Sequence, residues 1–458
     1  MEAGNSDTEL DYESDVDISP DMALDLHEDD DQAGNNADPP AEANDPPAEA
    51  NDPPAQGGAA AAAAAVPGDG DWRPEGSDIV MRHFEEQPGP RHNLGPQACP
   101  LDFFFLMFPL ALIEILVAET NRYADQCIAT TPNSSWYATD VAEMPAFLAI
   151  QIIFGIKQQP RLWMYWSEYK RFYDSWVAGL MTINRFKNLS RYFHCRDTSR
   201  TPGRESPNYD PLFKVRNVVD AVQETFKNCF QVNRDLSVDE CMVGFKGRLS
   251  FKQYMPAKPT KWGIKVWTTC DARLGYCLGF DIYTGKASRK DPCRPLGYEV
   301  VNSLCSSHYH KGHHVYIDRF FNSVKIADHL QKNDTYVCGT IMSNRKGLPQ
   351  GVKRKLRTRG DLVQLQKGNL IATAYHDKRT VHLLSSNQVM GTTEEEGKPR
   401  VLLDYNRYMG CVDKFDQQLS FYPVGRPGKK WWRYIVWHLI NASIYNAYVI
   451  WTLSPPQF

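Results

Sequence analysis

Leu236-Ser-Val-Asp-Glu-Cys-Met-Val-Gly-Phe245 opens a run of segments on which the fold turns; Leu249–Met255, Gly263–Cys270 and Tyr276–Tyr283 follow it. All four are rich in Val, Ile, Phe, Tyr and Trp, and Gly, Pro, Asp and Lys turn residues separate them, so they predict consecutive strands in a meander. A further strand, His313–Ile317, leads into Asp318; a helix over Val324–Gln331 and a strand over Thr335–Ile341 come next. A meander followed by strand and helix in alternation describes a mixed α/β sheet flanked by helices.

Towards the N-terminus the period becomes helical. Leu110, Ile113, Leu116 and Val117 fall near 3.6-residue spacing, and Met144, Phe147, Leu148, Ile152 and Ile156 repeat it before Pro160 ends the run. A third stretch, Ile183–Phe193, mixes Arg185, Lys187 and Arg191 with Phe186 and Tyr192. It fits both a helix touching a duplex backbone and a surface helix with a buried aromatic stripe. Towards the C-terminus, residues 343–399 read as an insert carrying the basic run Lys353, Arg354, Lys355, Arg357 and Arg359 and two β-like runs, Leu370–Tyr375 and Thr380–Leu384. A last helical region runs from Gly410 through Trp431, Trp432, Tyr434 and Trp437 to Val449.

Composition removes several classes. The 458 residues are 42% hydrophobic and 12% aromatic, enough for a substantial core. The net charge of −4 divides unequally: residues 1–100 hold 24 Asp and Glu against Arg73, Arg82 and Arg91, whereas residues 101–458 carry +17. A basic body with an acidic tail makes nucleic acid a leading candidate partner, and no small-molecule cofactor is expected. Residues 1–97 combine dense carboxylates, a repeated Asn-Asp-Pro-Pro-Ala-Glu-Ala unit and an alanine run, and are expected to form a disordered tail. Eleven cysteines, scattered from Cys99 to Cys411 with no C-x-x-C pair, argue for free thiols and against a secreted disulfide scaffold. The longest apolar stretch, Phe103 to Ala118, is broken by Pro109 and Glu114 and falls short of the roughly 20 residues of a spanning helix, so no membrane association is expected.

Four aspartates stand out. Asp239 lies within an apolar strand, where an unpaired carboxylate is costly, and Asp318 ends another, at the carboxyl edge of the sheet. Asp413 and Asp416 are spaced i, i+3 and share one face of a helix over Cys411–Leu419. Taken singly, each also fits a turn former or a helix cap. Brought together, they would repel one another unless a divalent cation lay between them, and Mg²⁺ or Mn²⁺ prefers such hard oxygen ligands. Two ions about 4 Å apart suit in-line displacement at a DNA phosphate. Lys258, Lys261 and Lys265 follow the first Asp strand, and Arg319 and Asn322 follow Asp318, placed for phosphate contacts. The run 353–359 fits a nuclear localisation signal, a phosphate-binding arm or a soluble loop equally well. His308, His310, His313 and His314 lack a zinc spacing and read as a polar turn entering the Asp318 strand.

Leu236-Ser-Val-Asp-Glu-Cys-Met-Val-Gly-Phe-Lys-Gly-Arg248, Tyr254-Met-Pro-Ala-Lys-Pro-Thr-Lys-Trp-Gly-Ile-Lys265, Val315-Tyr-Ile-Asp-Arg-Phe-Phe-Asn-Ser323 and Tyr405-Asn-Arg-Tyr-Met-Gly-Cys-Val-Asp-Lys-Phe-Asp-Gln417 together resemble the piggyBac transposase family, in order from about residue 98 to 455. The resemblance implies an RNase H-like catalytic core with an Asp triad, interrupted by an insertion and flanked by an all-α dimerisation and DNA-binding domain. On this chain that means an acidic tail at 1–97, helical domain at 98–233, core at 234–342, insertion at 343–399, the rest of the core at 400–421 and the rest of the helical domain at 422–458. It makes Asp239, Asp318 and Asp413 the catalytic triad and Asp416 a further metal ligand, and it places Trp431, or its neighbour Trp432, near a DNA hairpin. It further implies cutting at transposon ends, hairpin formation, rejoining at TTAA sites, nuclear localisation, and a homodimer among its assemblies. Family members commonly end in a cysteine-rich zinc domain. With no cysteine after Cys411, zinc is not expected here, and the second helical part reads as shortened. Two functions stay open: a transposase or close relative with metal-dependent strand cleavage, and a transposase-derived protein that binds DNA or chromatin without catalysis.

Overall fold

The computed structural model describes residues 71–285, 291, 294–394 and 396–454. Within these, eight strands of three residues or more build one sheet: β1 (Asp235–Gly244), β2 (Trp262–Asp271), β3 (Cys277–Ile282), β4 (His314–Ile317), β5 (Tyr336–Thr340), β6 (Leu362–Lys367), β7 (Leu370–His376) and β8 (Thr380–Ser385). A two-residue strand, Gln253–Tyr254, also pairs with β2. It is all that forms of the strand expected over Leu249–Met255, because the chain turns there, with the Lys252 N–H bonded back to the Leu249 carbonyl, and Pro256 follows directly.

The strand order is β3-β2-β1-β4-β5-β8-β7-β6. β1, β2 and β3 form the expected antiparallel meander, and β4 and β5 then run parallel to β1. The insert adds three strands where two were foreseen. β6 was missed because its apolar-polar alternation, Leu-Val-Gln-Leu-Gln-Lys, directly follows the basic run. β8 pairs antiparallel with β5, so these strands lengthen the same sheet.

Among the described residues, twelve helices surround it: α1 (Pro100–Met107), α2 (Leu110–Thr130), α3 (Glu143–Ile156), α4 (Ser175–Leu180), α5 (Ile183–Tyr192), α6 (Arg216–Asn228), α7 (Leu296–Cys305), α8 (Val324–Lys332), α9 (Gln350–Lys353), α10 (Arg400–Tyr408), α11 (Cys411–Phe421) and α12 (Trp431–Leu453). Side chains alternate across a strand, so each sheet face collects its own partners. Val315, Ile317 and Val337 pack with Val301 of α7 and Ile326 and Leu330 of α8. Tyr316 and Cys338 face the other way, into the core that holds Val401 and Tyr405 of α10 and Val412 and Phe415 of α11. α12 packs on α1 and α6. Phe193, just after α5, stacks between Trp432 and Trp437 of α12 at ring separations of 5.9 and 5.5 Å. Helices from both flanks of the sheet therefore share one core. Among the described residues, no single helix is long and apolar enough to cross a membrane.

Two expectations change. Arg185 of α5 does not face outward: only 5% exposed, it donates from Nε to Glu143 Oε1 at 2.7 Å and lies over the Tyr137 ring at 3.6 Å, a buried tie between α5 and α3. The tail expected over residues 1–97 also ends early. Residues 1–70 lie outside the described residues, but from Asp71 onward the chain forms a strap across the sheet. Arg73 pairs with Gln366 of β6, Arg82 N–H donates to the Tyr336 hydroxyl, and Gly89–Pro90 pairs antiparallel with Phe230–Gln231. Trp72, 5% exposed, anchors one end in the core beside β6 and β7. The strap also covers His313 of the histidine tract: Phe84 packs on it with ring centroids 4.9 Å apart. Gly312, at φ 78°, makes room for it, because a Cβ there would lie 2.8 Å from the Arg82 carbonyl oxygen. An apolar side chain every few residues, Trp72 and Phe84 among them, is what an otherwise acidic segment needs to dock.

Candidate active site

The parallel pairing of β1 and β4 sets the site. Their ladder runs from Asp235 opposite His314 to Val238 opposite Ile317, and the next residues on the two strands are Asp239 and Asp318. Neighbouring strands lie about 4.8 Å apart, so this register puts two carboxylates side by side where the ladder ends. Asp239 accepts a hydrogen bond from the Glu240 N–H at 2.8 Å, and Asp318 from the Phe320 N–H at 2.8 Å. Burial pushes the Asp239 carboxyl well above the usual carboxylate range; repulsion from Glu240 and Asp318 adds to this, and Lys258 opposes it. Asp318 is raised in the same direction by burial and then by Glu240, against the N–H groups of Phe320 and Phe321.

α11 brings the other two. It lies against β1, with Asp413 exposed in its first turn and Asp416 one turn on, half-buried above Met242, whose backbone hydrogen-bonds it. Burial lifts the Asp416 carboxyl to about 6, with Asp413 adding and Lys258 opposing. Lys258 stands among these groups on a turn between Pro256 and Pro259. Its Nζ donates to Asp413 Oδ1 at 2.9 Å and to the Glu240 carbonyl oxygen at 3.0 Å. Burial opposes its charge, but Asp239 and Asp413 outweigh that and hold the ammonium above its ordinary value. Lys265 serves the other face of the sheet, 3.9 Å from Glu240 Oε2 and 3.9 Å over the Trp267 ring, and burial lowers its value despite Glu240. Among the described residues, no three His, Cys, Asp or Glu side chains converge closely enough to hold an ion as they stand. Asp413 is turned to Lys258.

Sequence reasoning passed over Glu240 and Tyr405. Glu240 faces Lys265 as a diagonal cross-strand neighbour, a relation visible only once the register of β1 and β2 is known. Tyr405 of α10 lies near Asp318 and Asp239; burial raises its hydroxyl and the two carboxylates add to this.

A family model described as Transposase IS4 matches residues 99–448, the span that holds the sheet, both helical flanks and all four aspartates. The cryo-EM structure of a piggyBac transposase synaptic complex with hairpin DNA superposes with a TM-score of 0.73 at 25% identity, covering 81% of this chain and 80% of that one. The chain belongs to the piggyBac transposase family.

Human relatives bear the same family name. PiggyBac transposable element-derived protein 2 is 26% identical over 371 residues, 76% of this chain and 61% of the relative. Protein 5 is 23% identical over 410 residues, 84% of this chain and 76% of the relative. Protein 3 is 26% identical over 377 residues, 76% of this chain and 60% of the relative. The chain therefore spans about three fifths of the length of proteins 2 and 3.

The basic and polar positions singled out in the sequence, and the tryptophan added by the piggyBac likeness, fare differently. Lys261, Arg319, Arg354, Lys355 and Arg357 are exposed and Lys353, at the end of α9, is half-buried, so all present charge to solvent. Asn322 must be withdrawn as a phosphate contact. It is fully buried, and its amide donates to the carbonyls of Gly339 and Leu384, tying β5 to β8. Trp431 is half-buried edge-on against Phe251 at 5.4 Å, and Trp432 is 2% exposed inside the helical core.

Proposed function

We propose that this chain is a metal-dependent DNA phosphoryl transferase of the piggyBac type, acting in the nucleus to cut and rejoin double-stranded DNA at TTAA sites. The observation that carries the reading is the β1–β4 register, which sets Asp239 beside Asp318 in a setting that raises both carboxyls. Two buried carboxylates that repel each other, with two more on the facing helix, form a hard-oxygen donor set suited to Mg²⁺ or Mn²⁺. Asp239, Asp318 and Asp413 would hold the ions, with Asp416 as the fourth ligand. A bound divalent cation supplies Lewis acidity at the phosphate and favours ionisation of the attacking hydroxyl.

The protein's own residues do the rest. Three antiparallel strands followed by two parallel ones, in the order β3-β2-β1-β4-β5, support an RNase H-like core whose carboxylates sit on rigid strand ends. Lys261 and Arg319 flank the acidic edge and fix the backbone of a duplex, and the basic run from Lys353 to Arg357 extends that contact along the insert. The +17 of residues 101–458 makes binding fall steeply with salt.

The contact between Lys258 and Asp413 favours a second reading, a non-catalytic DNA-binding derivative in which the ammonium permanently takes the place of an ion. Nicking of supercoiled plasmid by purified full-length protein in Mn²⁺ separates the two. The catalytic reading expects nicking by the wild type, its loss in Asp318→Ala, and retained gel-shift binding in both. A wild type that shifts DNA but leaves the plasmid supercoiled would establish the non-catalytic reading.

A further inference from the structure

We propose that Lys258 is a counter-ion displaced by DNA: in the free protein its ammonium holds Asp413 apart from Asp239 and Asp318, and a backbone phosphate draws it away, so that nucleic acid and divalent cation bind cooperatively. The inference rests on the metal centre proposed above and deepens it.

Five carboxylates share this edge, Asp239, Glu240, Asp318, Asp413 and Asp416, against two ammonium groups. Lys265 is committed to Glu240 and the Trp267 ring on the far face. Of the two, it is Lys258 that joins the strand to the helix, through the Glu240 carbonyl and Asp413. An ion entering among the carboxylates has to compete with it for the same Asp413 oxygen.

The competition is uneven in a useful way. The Asp413 side chain is 58% exposed and that of Lys258 16% exposed, so the pair lies at the rim of the site. The Asp413 oxygens are thus already open to water, and an arriving phosphate competes with them for the ammonium. Lys258 also sits on a turn whose neighbours Pro256, Ala257, Pro259 and Thr260 are all exposed, closed by the Met255 N–H donating to the Lys261 carbonyl at 2.8 Å. Rotation of one side chain carries the ammonium from the carboxylates to the surface where a duplex would lie. Asp413 is then released to face the ion. Linkage requires the converse as well: the ion strengthens DNA binding by the factor with which DNA strengthens ion binding.

The test measures Mn²⁺ binding to the full chain, by paramagnetic resonance of free Mn²⁺, with and without a saturating random-sequence duplex. For the wild type the duplex is expected to tighten Mn²⁺ about tenfold. Lys258→Met is expected to bind Mn²⁺ about tenfold more tightly than the wild type without DNA and to lose the duplex effect. Lys258→Arg keeps the effect. Lys265→Met removes a nearby charge yet also keeps it, which separates displacement from a general change of field. If Lys258→Met is poorly folded, Lys258→Gln takes its place. Unchanged or weaker Mn²⁺ binding in the folded Lys258 variant, or an undiminished duplex effect, overturns the inference and leaves the metal centre standing. No Mn²⁺ binding by any protein, with or without duplex, overturns the metal centre itself and the inference with it.

Discussion

Asp235 and Asp239 lie four residues apart on one strand, and the protein treats their charges in opposite ways. Asp235, fully buried, is gripped by two guanidinium groups: Arg273 donates from Nε and Nη2 at 3.0 and 2.9 Å, and Arg234 from Nε and Nη2 at 3.0 and 2.9 Å. The strap closes that end of the parallel strands, over His313 and Tyr336. Asp239, at the other end, has one backbone N–H and the like charges of Glu240 and Asp318, opposed by the ammonium of Lys258, which hydrogen-bonds Asp413 instead. Buried charge with a fixed partner is architecture; buried charge without one has been left for something that arrives.

The sharpest way to break this contrast is to neutralise each aspartate in turn. Asp239→Asn is expected to lower plasmid nicking by about three orders of magnitude and to melt no earlier than the wild type. Asp235→Ala is expected to lose about 3 kcal/mol of stability in urea, because the charge-assisted hydrogen bonds between a fully buried carboxylate and two half-exposed guanidinium groups are lost. If Asp235→Ala melts normally while Asp239→Asn unfolds, the roles are reversed.

A smaller effect tests the sign. A carboxyl raised in the folded state binds its proton more tightly there than in the unfolded chain. It therefore supports folding below its unfolded value of about 3.9, and that support is lost as pH rises through the folded value. Asp239→Asn is accordingly expected to be more stable than the wild type by about 1–2 kcal/mol at pH 7, with the advantage shrinking towards pH 4. Denaturant melts at the two pH values measure it; an advantage that grows on acidification would contradict the burial argument.

The smallest effect belongs to the strapped end. Gly312→Ala forces a side chain against the Arg82 carbonyl at a left-handed backbone position, at a cost of about 1–2 kcal/mol. Hydrogen exchange is expected to speed up across residues 72–92 while nicking is unchanged. Equal exchange in both proteins would mean that the strap does not depend on this close passage.

The strands of the meander, the strand leading to Asp318 and the long helices were legible because their periods of 2 and 3.6 are carried by apolar residues alone. Boundaries that depend on docking were not. The strap from Asp71 to Arg91 has the composition of the acidic tail, and only the surfaces that receive Trp72 and Phe84 distinguish it. Arg185 and Asn322 failed in the same way. A polar residue looks like a surface or binding residue until its partners, Glu143 in one case and the carbonyls of Gly339 and Leu384 in the other, are found far off in the chain.

By itself, then, the sequence determined a mixed sheet with helical flanks, a basic body, and the membership in the piggyBac family that four ordered motifs carry. Only the tertiary structure decided which aspartate is answered by arginines and which is not, that Asp239 and Asp318 stand side by side, and that Lys258 reaches across to Asp413. The reason is physical. Periodicity is a local property of the chain, whereas a charge acquires its meaning from register, burial and partners, and these exist only after distant segments have packed.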